Sequence, residues 1–163
     1  FLEGEGADAQ ADGVYFTRAG QHADIKTVQY HRAPHGNSRA FYKGAVSEGG
    51  RSIYQGLIDV EKTANGTDAY LTNRNLILGD GARADSIPCL EIRTNDVKCS
   101  HGSTSGRINP EELFYLMSRG IPREDAERDL IVGYFEEVIQ KAPKAARDAV
   151  RSRIESLLGL EDE

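Results

Sequence analysis

The sequence predicts a mainly β core followed by an α-helical C-terminal segment, and three observations carry that reading. Up to about residue 108, short β-branched or aromatic runs are punctuated by Gly, Asn and Asp, which is strand and turn chemistry. Helix signals are nearly absent from that stretch. After Gly106 the pattern changes to helix caps and apolar residues spaced three or four apart.

The strand-like runs are Gly13-Val14-Tyr15-Phe16, Thr27-Val28-Gln29-Tyr30, Phe41 to Val46, Ile53 to Ile58, Leu76-Ile77-Leu78 and Leu90-Glu91-Ile92. Two of them nearly repeat: Phe41 to Val46 and Ile53 to Ile58 share an apolar, Tyr, polar, Gly, apolar, apolar order. Turn clusters recur at Gly49-Gly50, Asn65-Gly66 and Gly79-Asp80-Gly81. Stacked coils explain this economically, because each coil lends its backbone edge and apolar face to the next. An antiparallel sandwich fits the same short alternating strands, and periodicity alone does not separate the two.

Asn109 suits an N-cap, Pro110 the first helical position, and Glu111 and Glu112 the positive helix end, while Gly120 suits a left-handed stop. A short helix is therefore expected from about 110 to 119. A second begins near Pro122 and sets Leu130, Tyr134 and Val138 beside Ile131, Phe135 and Ile139 on one broad apolar face. Pro143 interrupts it. A last helix presents Val150, Ile154, Leu157 and Leu158 ahead of Gly159. The expected organisation is a β core over residues 1–108 and a helical subdomain over 109–163.

The net charge of −6 and pI near 5.3 argue against a nucleic-acid partner, which needs a basic face to neutralise phosphates. Mean hydropathy is −0.52, and no run approaches the roughly 20 apolar residues of a membrane span, so no membrane partner is expected. Two cysteines, Cys89 and Cys99, do not make a disulfide framework, and a cytoplasmic location is the simpler expectation. The opening Phe1-Leu2-Glu3-Gly4 reads like the middle of a domain, so the chain is expected to be a C-terminal fragment.

Asp96-Val97-Lys98-Cys99-Ser100-His101-Gly102 is the most informative stretch. On a strand, the two-residue repeat places Cys99 and His101 on one face. Thiolate and imidazole both suit iron–sulfur species and zinc, but two donors do not complete a site. By spacing alone, Cys99 reads as a small buried hydrophobe and His101 as a hydrogen-bonded turn residue, since one Cys-x-His is weaker than paired Cys-x-x-Cys motifs. His31 and His35 bracket Pro34 and read as parts of a turn between coils. His22 reads as surface, and Cys89, between Pro88 and Leu90, as packing.

Enzyme machinery is thin. The chain holds no phosphate loop of the Gly-x-x-x-x-Gly-Lys-Ser/Thr type, no Gly-x-Ser-x-Gly elbow and no His-Glu-x-x-His pair. Cys99 and His101 as nucleophile and base would lack a third orienting group. The chain is therefore expected not to be an enzyme. The alternative is a carbohydrate-active β-helix enzyme with a charged groove built from Asp59, Glu61, Asp68, Arg74, Asp80, Arg83 and Asp85.

Leu90-Glu91-Ile92 through Asp96-Val97-Lys98-Cys99-Ser100-His101-Gly102-Ser103-Thr104, followed by Leu113-Phe114-Tyr115-Leu116-Met117-Ser118-Arg119-Gly120-Ile121, closely resembles the SufB/SufD core family of iron–sulfur cluster assembly proteins. His31-Arg32-Ala33-Pro34, Tyr42-Lys43-Gly44, Tyr54-Gln55-Gly56, Thr67-Asp68-Ala69-Tyr70 and Asn75-Leu76-Ile77-Leu78 extend the resemblance over residues 1 to about 142. Within the family the chain looks most like SufD, because Ala82 stands where SufB would carry its interface cysteine.

The resemblance implies a right-handed parallel β-helix with a C-terminal helical subdomain, acting as a scaffold subunit. It implies SufB as partner through the β-helix edge and the ATPase SufC docked on the C-terminal helices, around Arg119, Arg123, Arg128 and Tyr134. It further implies that His101, as metal ligand, and Cys99 hold a transient iron–sulfur cluster at the SufB–SufD interface. An exposed strand edge also makes a homodimer of the isolated chain an expectation.

Overall fold

Seven strands of ten to twelve residues run through the first two thirds of the chain: β1 (Asp8–Thr17), β2 (His22–His31), β3 (Asn37–Ser47), β4 (Arg51–Val60), β5 (Thr67–Leu78), β6 (Arg83–Ile92) and β7 (Val97–Gly106). The computed structural model describes residues 1–157. Odd strands form one parallel sheet in the order β1-β3-β5-β7, and even strands form another in the order β2-β4-β6. The chain therefore crosses from one sheet to the other at every turn and advances one strand per coil. This is a parallel β-solenoid, and an antiparallel sandwich is excluded.

The registers line up in columns. Asp8 pairs with Asn37, Asn37 with Asp68, and Asp68 with Lys98. The corners repeat as well: Gly6 N–H donates to the Pro34 carbonyl at 3.0 Å, His35 N–H to Asn65 at 2.8 Å, and Gly66 N–H to Asp96 at 2.7 Å. The two textual echoes, Phe41 to Val46 and Ile53 to Ile58, lie on β3 and β4, which belong to different sheets. Their tyrosines, Tyr42 and Tyr54, meet inside the coil with ring centroids 5.2 Å apart. The repetition thus spans the core within one coil and does not mark successive coils.

Between the sheets lie Ala40, Tyr54, Ile58, Val60, Ala69 and Leu71, all buried. Each large aliphatic side chain removed from water there contributes about 1.5–3 kcal/mol. Polar side chains join this interior by bonding one another. Tyr15 Oη donates to Asn75 Oδ1 at 2.6 Å, and Asn75 Nδ2 donates to Asn73 Oδ1 at 2.9 Å. Tyr15, Gly44 and Asn75 occupy one column. A Cβ on Gly44 would fall 2.1 Å from Tyr15 Cε2, so only glycine lets the tyrosine cross the middle strand.

Three helices follow: α1 (Pro110–Ser118), α2 (Arg123–Lys141) and α3 (Lys144–Leu157). Asn109 caps α1 by accepting from Glu111 N–H at 2.9 Å, and Gly120, at φ 90°, lets Ile121 N–H turn back to the Leu116 carbonyl. Ile131, Phe135 and Ile139 of α2 and Ile154 of α3 bury against Ala45 and Leu76 on the outer face of the odd sheet. That cover explains why Phe41, Lys43 and Ala45, which point away from the solenoid interior, are nevertheless buried. The expected positions of Leu158 and Gly159 lie outside the described residues.

Candidate functional site

β7 is the last strand of the odd sheet, and its inward positions continue the columns of the core. Cys99 pairs with Ala69 and His101 with Leu71, and both of those partners are buried. Cys99 and His101 therefore share the inward face, as the alternation of a strand requires. Cys99 packs against the core cluster and is half-buried, whereas His101 is exposed at the open mouth of the solenoid. The difference arises because, among the described residues, no further coil covers the mouth.

Burial pushes the Cys99 thiol up; the Ala69 backbone opposes that shift and the nearby Asp68 carboxylate adds to it. The thiol is thus neutral in this chain, and it becomes a ligand only when a metal or a positive group draws off its proton. Among the described residues, no three His, Cys, Asp or Glu side chains gather into a metal-binding group. One imidazole and one thiol on a shared face can supply two donors, and a complete site takes the rest from outside.

The same end of the solenoid carries two free strand edges, β6 and β7, whose outward backbone groups have no neighbouring strand among the described residues. Ile87 and Ile92 on β6 and Tyr70 on β5 are exposed beside them. Such an edge is a template for another strand. Cys89, expected to pack, is exposed instead. It lies between the inward-facing Pro88 and Leu90 and so points outward on an edge strand.

The other histidines have structural settings. His31, at the end of β2, is fully buried, with Nε2 2.7 Å from Ser38 Oγ, and burial holds its imidazole below its ordinary pKa. His35 sits at a corner with φ 59°, and His22 is exposed. The charged residues of the enzyme alternative are taken up in separate ion pairs. Asp59 pairs with Arg93, Glu61 with Arg32, Asp68 with Arg39, Arg74 with Glu137, Asp80 with Arg107, and Arg83 with Asp85.

On the helices, Arg123 pairs with Glu127 and Arg128 with Asp125, all on the surface, and the Arg119 guanidinium lies 5.1 Å from the Tyr115 ring centroid. Tyr134, expected both on the apolar face of α2 and at the docking surface, follows the first expectation. It packs against the sheet cluster with its hydroxyl buried, because the apolar stripe of α2 turns that position toward β3. The expected helix α1 carries exposed residues that were not among the expected site residues: Phe114 is 72% exposed, and Tyr115 and Met117 are exposed too. A run of Leu-Phe-Tyr-Leu-Met in nine residues is more apolar than one buried stripe needs, and that was the available signal.

The family model for the SUF system FeS cluster assembly SufBD core domain matches residues 1–134. The chain belongs to this family. The iron–sulfur cluster assembly protein SufD of Escherichia coli K12 is 40% identical over 139 residues, covering 85% of this SufBD chain and 33% of that protein. Mycobacterium tuberculosis H37Rv has an iron–sulfur cluster assembly SufBD family protein 40% identical over 161 residues, covering 93% of this chain and 41% of that protein. A second SufBD family protein of the same organism is 32% identical over 143 residues, covering 88% of this chain and 17% of its own length. The SufBD chain therefore spans less than half the length of the curated relatives it matches. Among the described residues, no helix is long and apolar enough to cross a membrane.

Proposed function

We propose that this chain is part of a SufD-type scaffold subunit, which pairs with SufB through the β6/β7 edge and receives the ATPase SufC on its helices. The observation that carries this reading is the placement of His101. It is exposed on the inward face of the terminal coil, next to Cys99 and beside a free edge that can template another strand. In this role the chain performs no covalent chemistry of its own. It supplies an imidazole and a thiol to a transient iron–sulfur cluster whose remaining donors come from SufB, and the two unpaired thiols suit a reducing cytoplasm.

The docking surface for SufC is α1 and its neighbour Arg119, with Arg123 and Arg128 as a charged rim. Three large exposed side chains stand on this one short helix, with Arg119 stacked over one of them, Tyr115. ATP hydrolysis in SufC would then act on the helices, and the helices on the sheet they cover. That sheet ends in the strand that carries His101.

The test is cluster assembly in cells, or anaerobic reconstitution with intact SufB and SufC, comparing full-length wild type with His101→Ala and Cys99→Ala and checking complex formation alongside. Loss of assembly in His101→Ala with the complex intact supports the ligand reading. Normal assembly in both variants would make Cys-x-His structural and move the subunit's role to SufC docking.

A further inference from the structure

Gly102 follows His101 on β7, and a Cβ there would lie 2.9 Å from the Tyr70 hydroxyl. The Tyr70 side chain starts opposite Ser100, on the outward face of the odd sheet, and leans along the strand until its tip lies over Gly102. The tyrosine is 40% exposed, and among the described residues its hydroxyl has no hydrogen-bond partner. Edge strand β7 therefore carries a shallow notch on its outward face: one position without a side chain, partly filled by an unpartnered hydroxyl, one residue beyond the inward-facing His101.

We propose that the Gly102–Tyr70 notch fixes the register of the strand that pairs with β7, which deepens and rests on the edge-pairing reading above. The occupant is an edge strand of a paralogous SufBD solenoid. Two observations favour it. A row of backbone donors and acceptors at strand spacing is matched in full by another extended backbone, and a solenoid of the same family presents one at the same spacing. In addition, one organism holds two distinct SufBD proteins that both resemble this chain. The partner residue opposite Gly102 carries a side chain with a hydrogen-bonding tip that enters the notch and meets Tyr70 Oη.

Register matters here because the two donors of this chain are fixed on one face. A slip of one residue turns every partner side chain to the opposite face, and a slip of two displaces it by about 7 Å. Either error takes a partner ligand out of coordinating reach of His101. Tyr70 and Gly102 are positioning residues for the cluster site and touch no cluster atom themselves.

The experiment is disulfide trapping in the full-length pair. This chain carries Ser100→Cys with Cys89→Ser and Cys99→Ala, and single cysteines are scanned along the partner's edge strand. With Tyr70 and Gly102 intact, one partner position dominates. Tyr70→Phe keeps the ring and is expected to reduce that dominance about fivefold, the population change that loss of one net hydrogen bond produces. Gly102→Val, a good strand former, is expected to move the maximum or spread it while the pair still forms. An unchanged trapping profile in Tyr70→Phe overturns the notch, whether or not Gly102→Val pairs. Absence of any trapping with Tyr70 and Gly102 intact overturns the edge-pairing reading itself.

Discussion

Lys43 Nζ donates to the carbonyl oxygen of Tyr134 at 2.6 Å and lies 3.1 Å from Glu137 Oε2, which pins the middle of α2 to the middle of β3. The ammonium is almost completely buried and also faces the Tyr134 ring, 4.6 Å from its centroid. Burial works against the Glu137 carboxylate, yet the Lys43 hydrogen bond and the charges of Lys43, Arg74 and Lys141 hold it below its ordinary range. Lys43→Ala should destabilise the chain by about 1.5–3 kcal/mol, the range for losing a hydrogen bond from a charged donor. Lys43→Met should cost less, because it keeps the packed stem. Denaturant unfolding of both variants checks the order, and equal midpoints for Ala and wild type would remove the pin.

Gly44→Ala should destabilise by about 2 kcal/mol or more, because its methyl group would overlap the Tyr15 ring and crowd Asn75 Oδ1 at 2.8 Å. Adding Tyr15→Ala removes the obstacle. The double variant should therefore be more stable than the sum of the two single losses, and a double-mutant cycle measures that coupling. Additive losses would mean that the glycine is not held by the tyrosine above it.

His31 gives the fold an acid-sensitive point. Burial lowers its folded pKa, so the unfolded chain takes up a proton first as pH falls below about 6.5. This contribution to stability is complete above that pH and is lost as pH falls toward the folded value. His31→Gln should flatten the decline, read from unfolding midpoints at pH 7.5 and 5.5. A parallel decline in the variant would place the acid sensitivity elsewhere.

The two thiols should react at different rates. Cys89 is exposed, whereas Cys99 is half-buried with its thiol pKa pushed up by burial. Alkylation near neutral pH should modify Cys89 faster, since burial both restricts access to Cys99 and lowers its share of reactive thiolate. Peptide mass mapping over time gives the ratio, and a faster Cys99 would contradict its packing against the core.

Asn109→Ala should cost about 1 kcal/mol by removing the cap on α1. The loss should appear as faster amide exchange confined to residues 110–118, with β7 unaffected. Exchange that also rises through β7 would show that α1 and the strand edge open as one unit.

The positions of the strands, the caps of α1 and the breaks before α2 and α3 were legible in the sequence, because each rests on local chemistry that neighbouring residues carry. The coil period was harder to read. Its loudest echo, Phe41 to Val46 against Ile53 to Ile58, runs across the core, while the true columns join unlike residues such as Tyr15, Gly44 and Asn75. Strand alternation put Cys99 and His101 on one face but could not say that the face opens at the solenoid mouth. Tyr134 and Lys43 were missed as a pair because α2 covers the outer side of β3, and cover of that kind is a long-range fact. Cys89 was misplaced for the opposite reason, an edge with no cover at all.

The column registers make the solenoid's length a counted quantity. One whole coil inserted between β5 and β7 would leave every stacked neighbour with an equivalent partner and carry the His101 mouth away from α2 by one inter-strand step of about 4.8 Å. Half a coil would exchange the two sheets and break every column beyond the insertion. Across related chains, the distance from helices to mouth can therefore change only in whole steps.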